Sequence, residues 1–328
     1  QKHCCGRGCL MCPYIPKHTK GSYKIMNQLG YACINMNLSN HKPKITTNRS
    51  MIKRTFTEKG LPYASELALQ NCKDLLTILK WNNDNGIKFF RMSSDLIPWA
   101  SEYNLDDLPD HWEIVATLGE CGKFAEENNI RITSHPGPFN VLTSPHESVV
   151  ENCITDLSIH GQVFDMMGLS RTPYNKINIH IGGAYGDKVS AMERFCTNFH
   201  RLPNSVKSRL TVENDDKATM YSVKDLYEGV YKVIGIPIVF DYHHHRFCTG
   251  DLSEQEALEL AISTWGDVVP VVHYSESRNI EQEDDKIRPQ AHSDYVYDYI
   301  DTYGNEVDIM VEAKAKELAV LKYKELHG

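Results

Sequence analysis

A hydrophobic run, Ile236-Pro237-Ile238-Val239-Phe240, ends directly on Asp241-Tyr242-His243-His244-His245. One carboxylate and three imidazoles in so short a stretch form a dense set of ligands for divalent ions such as Zn, Mn and Fe. A polar loop with surface histidines has the same composition, so this stretch alone does not choose between the two readings. What decides is whether other strand ends bring more such groups to the same place.

The elements that would position them alternate along the chain. Residues 28–34 read as a strand, and residues 65–83 as a helix with apolar positions at Leu67, Leu69, Leu75, Leu76, Ile78 and Leu79. Strands then recur at 87–92, 130–133, 176–181, 209–212, 236–240, 268–272 and 307–311. The helical patterns between them cover 113–127, 148–167, 188–200 and 223–233. A further helix runs from Ser253, an N-cap with Glu256 in the capping-box position, to about residue 264. A Lys/Glu-rich amphipathic helix closes the sequence. Eight strands alternating with helices predict an α/β fold, a (β/α)8 TIM barrel. A doubly wound open sheet is the alternative, and the absence of G-x-G-x-x-G or a P-loop after the first strand speaks against it. The barrel is expected over residues 25–328 as a single domain, after a Cys-rich lead at 1–24.

In such a barrel the C-terminal strand ends converge on one mouth. Taken in order, those ends supply Asp95, His135, His180, Glu213, Asp241 with His244, His273 with His292 in the loop beyond, and Glu312. A lone strand-end histidine is more often structural. A ring of them is not, and His with carboxylate and no thiolate suits two or three Mn, Zn or Fe ions. Clustered divalent ions are typical of phosphodiester hydrolysis, where they generate hydroxide near neutral pH and bind the phosphate and leaving oxygens.

Bulk composition sets limits. The chain has 328 residues and a net charge of −8, which counts against a purely electrostatic nucleic-acid binder. Carboxylates that hold cations lose that negative character locally. No apolar run approaches the roughly 20 residues that span a bilayer, and no secretory segment opens the sequence, so an intracellular location is the expectation. Of ten cysteines, Cys33, Cys72, Cys121, Cys153, Cys196 and Cys248 read as core thiols of a reducing compartment. Cys4, Cys5, Cys9 and Cys12 crowd the lead. The last three have a C-x3-C-x2-C spacing that suits a cluster or zinc, but they stand outside the barrel pattern, so a small metal knuckle or a redox-sensitive tail is the preferred reading.

The strand ends also carry a resemblance. Leu29-Gly30-Tyr31 with Asn35, Phe90-Arg91-Met92-Ser93-Ser94-Asp95 with Pro98-Trp99, Ser134-His135-Pro136-Gly137 and His180-Ile181-Gly182-Gly183 come first. Glu213-Asn214-Asp215-Asp216, Phe240-Asp241-Tyr242-His243-His244, His273-Tyr274-Ser275-Glu276, His292-Ser293-Asp294-Tyr295 and Glu312-Ala313-Lys314 with Lys316 follow in order. Together they resemble the UV damage endonuclease family, which shares its barrel and the H-P-G element with endonuclease IV. The resemblance implies a metal-dependent DNA repair enzyme acting on UV-damaged double-stranded DNA. It would cut immediately 5′ to cyclobutane dimers, 6-4 photoproducts and often abasic sites, leaving a 3′-hydroxyl and a 5′-phosphate. By position it makes His135, His180, Glu213, Asp241, His244, His273, His292 and Glu312 the metal ligands, with Mn the favoured ion. Asp95 is a weaker ninth ligand. Glu213, Asp241 and Glu312 would be the catalytic carboxylates. Tyr31 and Asn35 would touch the lesion, while the turn holding Pro138 and Phe139 would enter the duplex where the damaged pair leaves the stack. A monomer in a prokaryotic cytoplasm, or in a eukaryotic nucleus or mitochondrion, fits that reading.

Two departures stand out. The family's wedge is usually Gln and an aromatic, where this chain has Pro138-Phe139; Pro138 cannot hydrogen-bond orphaned bases. A family lysine two residues before the seventh-strand histidine is here Val271. The bland readings are an ordinary buried tyrosine for Tyr31, a loop anchor for Phe139, a solvated charge run for residues 281–285, and an extended segment that turns His243 and His245 away from the ligands. Two other functions fit the same residues: a sugar isomerase or epimerase on the same barrel, and a catalytically silent lesion binder.

Overall fold

A computed structural model describes residues 27–328. The lead at 1–24, with Cys4, Cys5, Cys9 and Cys12, lies outside the described residues. Eight short strands close a barrel in chain order: β1 (Leu29–Ala32), β2 (Phe89–Met92), β3 (Arg131–Ser134), β4 (Ile177–Ile179), β5 (Leu210–Glu213), β6 (Ile238–Asp241), β7 (Val271–Tyr274) and β8 (Asp308–Val311). Every neighbouring pair is parallel, and β8 closes on β1 through Leu29 opposite Ile309 and Gly30 opposite Met310. The expected (β/α)8 barrel is therefore the fold. Strands buried on both faces need apolar side chains throughout, which is why these segments read as runs and not as alternations.

The outward faces pack under the helices. Leu75, Ile78 and Leu79 of the helix Lys53–Asp84, and Ile114 and Leu118 of the helix His111–Glu127, share one core with Phe90 and Ile132. The first helix starts twelve residues before the expected 65, crossing a kink at Gly60 (φ 62°) with Pro62 just beyond. Two helix breakers and few apolar positions hid that turn of chain from periodicity. The strand expected at 268–272 runs instead over Val271–Tyr274, so His273 sits within the pairing and not past it. Pro270 accounts for the shift, since it lacks the N–H that a ladder needs.

Inside the barrel, Ala32, Phe89, Val239, Val271 and Met310 form a separate apolar cluster with Trp265. Below it, at the N-terminal end, the wholly buried Arg131 donates to Asp308 Oδ2 (2.8 Å) and to the carbonyls of Tyr174 (2.7 Å), Val269 (2.9 Å) and Pro173 (3.2 Å). It therefore ties β3, β7 and β8 together from below. All six described cysteines are free thiols and five are buried, as a core role requires. Among the described residues no helix is long and apolar enough to cross a membrane.

Candidate metal centre

At the opposite end, the side chains one strand-repeat above that apolar floor are polar. Because strand side chains alternate, each ligand stands on the same face as an inward residue two positions earlier. Asn178 lies below His180, Thr211 below Glu213, Val239 below Asp241, Val271 below His273 and Met310 below Glu312.

Glu213, at the end of β5, is the hub. Its buried carboxylate lies 3.2 Å from His135 Nε2, 3.1 Å from His273 Nδ1, 3.4 Å from His244 Nδ1 and 4.0 Å from His180 Nε2. Asn178 donates to its Oε2, and Thr211 fixes Asn178 by donating to Oδ1 at 2.8 Å. Among the described residues three groupings of potential ligand atoms result: His135, His180 and Glu213; Glu213, Asp241 and His244; and Asp241, His273 and Glu312. Glu213 and Asp241 each belong to two of them, as a bridged polynuclear centre would require.

Two features of the structure test whether divalent ions fit. First, Asp241 Oδ2 and His273 Nδ1 are buried without a hydrogen-bond partner, although His273 Nδ1 lies 3.1 Å from both Glu213 and Glu312. Buried polar atoms are rarely left unpaired, and such orphans converging on one place mark a site for an ion. Second, Nδ1 of His135, His244 and His292 lies 3.1, 2.9 and 2.8 Å from the carbonyls of Pro136, Asn214 and Glu312. An Nδ1–H held that way leaves Nε2 with its lone pair, the arrangement that ligating imidazoles adopt. The residues fit the ions.

The electrostatics agree. Burial works to raise the Glu213 carboxyl, but the neighbouring His273 and His180 charges and the His135 hydrogen bond hold it well below the usual carboxylate range. Burial pushes Asp241 up, against the pull of His244. His135 is pushed down to about 4 by burial, whereas His180, despite burial, rises to about 9 beside Glu213 and Asp215. Metal ions would displace the protons that these carboxylates and imidazoles share.

Local structure explains the placement. Asp241 and His244 face the same centre because residues Tyr242–His245 form a helical turn, N-capped by Asp241 Oδ1 accepting from His244 N at 2.8 Å. The sequence pointed to these two as the end of the sixth strand and by the family resemblance, with His243 and His245 set aside on the expectation of an extended segment, where the structure has a helical turn. His243 and His245 are buried beside Phe247 and Phe240 respectively. Gly182, after His180, has φ 109°, and a Cβ there would come within 2.2 Å of Val141. The His180 loop can thus lie against the loop that follows His135.

Not every expected site residue joins the centre. Asp95 is exposed and lines a cleft of about 160 Å³ with Asp156 and His160, outside the three groupings, because the chain turns away after Ser93. His292 stands on the rim, with Nδ1 3.7 Å from Glu312 Oε2, and is likewise outside them. Tyr31 and Asn35 are buried: Tyr31 donates to Asn82 Oδ1 (2.7 Å) and accepts from Asn35 Nδ2 (2.9 Å). Tyr31 faces the helical layer against Phe90, and both residues are covered by protein in this structure. Pro138 and Phe139 behave otherwise. Phe139 is 86% exposed at the tip of a turn pinned by Asn140, which donates to Gly137 O (3.1 Å) and Asp156 Oδ2 (2.7 Å).

Three partners of the ligands were not found from the sequence. Arg91 of β2 is ion-paired with Glu312. Lys176, just before β4, is wholly buried with Nζ 3.2 Å from His273 Nε2, and burial drives it down to about 7. Asp215 lies 3.2 Å from His180 Nδ1. The signal for Lys176 was the alternation Lys176, Asn178, His180, a polar stripe on the inward face of an otherwise apolar strand.

Fold and site together define a parallel (β/α)8 barrel with a candidate polynuclear metal centre at its C-terminal mouth. Comparison with known proteins narrows this. The family model for UV-endonuclease UvdE matches residues 27–327, and the chain belongs to that family. It is 36% identical over 309 residues to the UV-damage endonuclease of Schizosaccharomyces pombe, covering 90% of this chain and 50% of that protein. The chain thus spans about half the length of that fungal relative. It is also 36% identical over 269 residues to the UV DNA damage endonuclease of Bacillus mycoides, covering 78% of this chain and 80% of that one. The crystal structure of SacUVDE superposes with a TM-score of 0.77 at 33% identity, covering 92% of this chain and 99% of the other.

Proposed function

We propose that this chain is a metal-dependent DNA repair endonuclease that nicks the phosphodiester immediately 5′ to UV photoproducts, cyclobutane dimers and 6-4 photoproducts, and also at abasic sites. The products would carry a 3′-hydroxyl and a 5′-phosphate. The observation that carries the reading is the Glu213-centred set of imidazoles and carboxylates at the barrel mouth of a UvdE-family chain.

His135, His180, Glu213, Asp241, His244, His273 and Glu312 would hold the ions, with His292 joining from the rim. Two or three divalent ions, Mn foremost and Zn or Fe as alternatives, would supply Lewis acidity toward the phosphate oxygens and hydroxide near neutral pH. The chain's own part is to hold that set rigidly. Asn178 and Thr211 fix Glu213, and Asp241 caps the turn that carries His244. Phe139 would fill the gap left by an extruded dinucleotide. A damaged pair costs less to extrude than intact stacked bases, which gives shape-based selection. Pro138 offers no hydrogen bond to the opposite bases, so stacking carries that contact. Intracellular action as a monomer completes the proposal.

The test is incision of a duplex bearing one cyclobutane dimer, with Mn²⁺, against chelated protein and Glu213→Gln. Cleavage 5′ to the lesion that vanishes with chelation and with Glu213→Gln supports the proposal. Lesion binding without any incision would make the protein a silent damage binder. Aldose–ketose turnover with no affinity for DNA would make it a sugar isomerase or epimerase.

A further inference from the structure

The three ligand groupings are not equivalent. Among the described residues, those of His135, His180 and Glu213, and of Glu213, Asp241 and His244, have no side-chain cation of Lys or Arg in contact with their carboxylates. The third differs. Glu312, its outer carboxylate, already holds the guanidinium of Arg91, and this ion pair is largely shielded from solvent. Arg91 is charged at every accessible pH. The same Glu312 Oε1 lies 3.1 Å from His273 Nδ1.

Resting on the metal-dependent reading above, we infer that Arg91 is a built-in cation for the Asp241, His273 and Glu312 grouping, so that the free protein holds two divalent ions tightly and a third only weakly. The reasoning is one of charge. Glu213, Asp241 and Glu312 bring three negative charges to the floor of the mouth, and Asp215 a fourth beside His180. Two divalent ions and one guanidinium already exceed these by one positive charge. A third ion at the Glu312 corner would raise the excess to three in a water-poor site, while sharing its carboxylate with a cation in contact. The two corners that meet at Glu213 share their carboxylates with no cation in direct contact among the described residues. Arg91 thereby sets how many ions are resident, as a positioning residue and not one that touches the reacting atoms.

The test is metal stoichiometry on the whole chain. Chelated protein is titrated with Mn²⁺ while free Mn²⁺ is followed by electron paramagnetic resonance, with elemental analysis after equilibrium dialysis. The wild type should bind two ions, with any third at least about tenfold weaker. Arg91→Met should close that gap, and Arg91→Lys, which keeps the charge, should retain it. Because Arg91→Met leaves Glu312 buried without its partner, Glu312→Gln provides a second route. Glu312 belongs only to the third grouping, so Glu312→Gln should keep both tight ions. Three ions of equal affinity in the wild type, an unchanged gap in folded Arg91→Met, or loss of a tight ion in Glu312→Gln would each overturn the inference. Failure of the wild type to bind any Mn²⁺ would instead remove the metal-dependent reading on which it rests.

Discussion

Lys176 offers a stringent check on the electrostatics of the barrel. Its ammonium is wholly enclosed beneath the mouth, and burial lowers its pKa from 10.5 to about 7. At about 1.4 kcal/mol per pH unit, that displacement equals roughly 5 kcal/mol of native-state destabilisation at pH values below 7. The sign is opposite to that of a paired lysine. The native state releases its proton near 7 while the unfolded chain keeps it to 10.5, so this destabilisation is relieved as pH rises between those values. Lys176→Met keeps the stem and removes the charge. It also removes the 3.2 Å contact with His273 Nε2, worth about 1 kcal/mol. In chelated protein at pH 6.5 the variant should therefore be more stable than wild type by about 3–4 kcal/mol. That advantage should shrink by about 1.4 kcal/mol per unit above pH 7, and little of it should remain by pH 9.5. Urea unfolding of both proteins across this range measures the difference directly, with other titrating groups cancelling. A difference that does not change with pH, or a variant less stable at pH 6.5, would refute the reasoning.

Two further outcomes follow from the geometry. Phe139 is almost fully solvated, so Phe139→Ala should leave urea stability within about 0.5 kcal/mol. Its affinity for a dimer-containing duplex should nonetheless fall by about tenfold or more, the value of one lost stacking contact, as fluorescence anisotropy would record. Arg131→Met leaves Asp308 buried without its partner, which should cost about 3–5 kcal/mol in the same unfolding assay. A loss below about 1 kcal/mol would show that the pair does not hold the barrel base.

Much of this protein is written locally in its sequence. Strand–helix alternation determined the closed eight-stranded order, because parallel strands buried on both faces must be apolar runs and helices must carry a 3.6-residue stripe. The strand-end positions of His135, His180, Glu213, Asp241, His273 and Glu312 followed, since a parallel barrel delivers all its C-terminal ends to one side.

Tertiary structure decided what periodicity does not encode. Whether a residue just past a strand turns inward depends on loop packing, which sends Asp95 to an outer cleft, while Tyr31, inside β1, faces the helical layer because its neighbour Ala32 faces the barrel interior, and Asn35 follows it there by hydrogen bond. The pairing of Arg91 with Glu312 and of Lys176 with His273 joins residues 221 and 97 positions apart. Such contacts depend on barrel stagger and side-chain reach, and these are fixed only once all eight strands have closed.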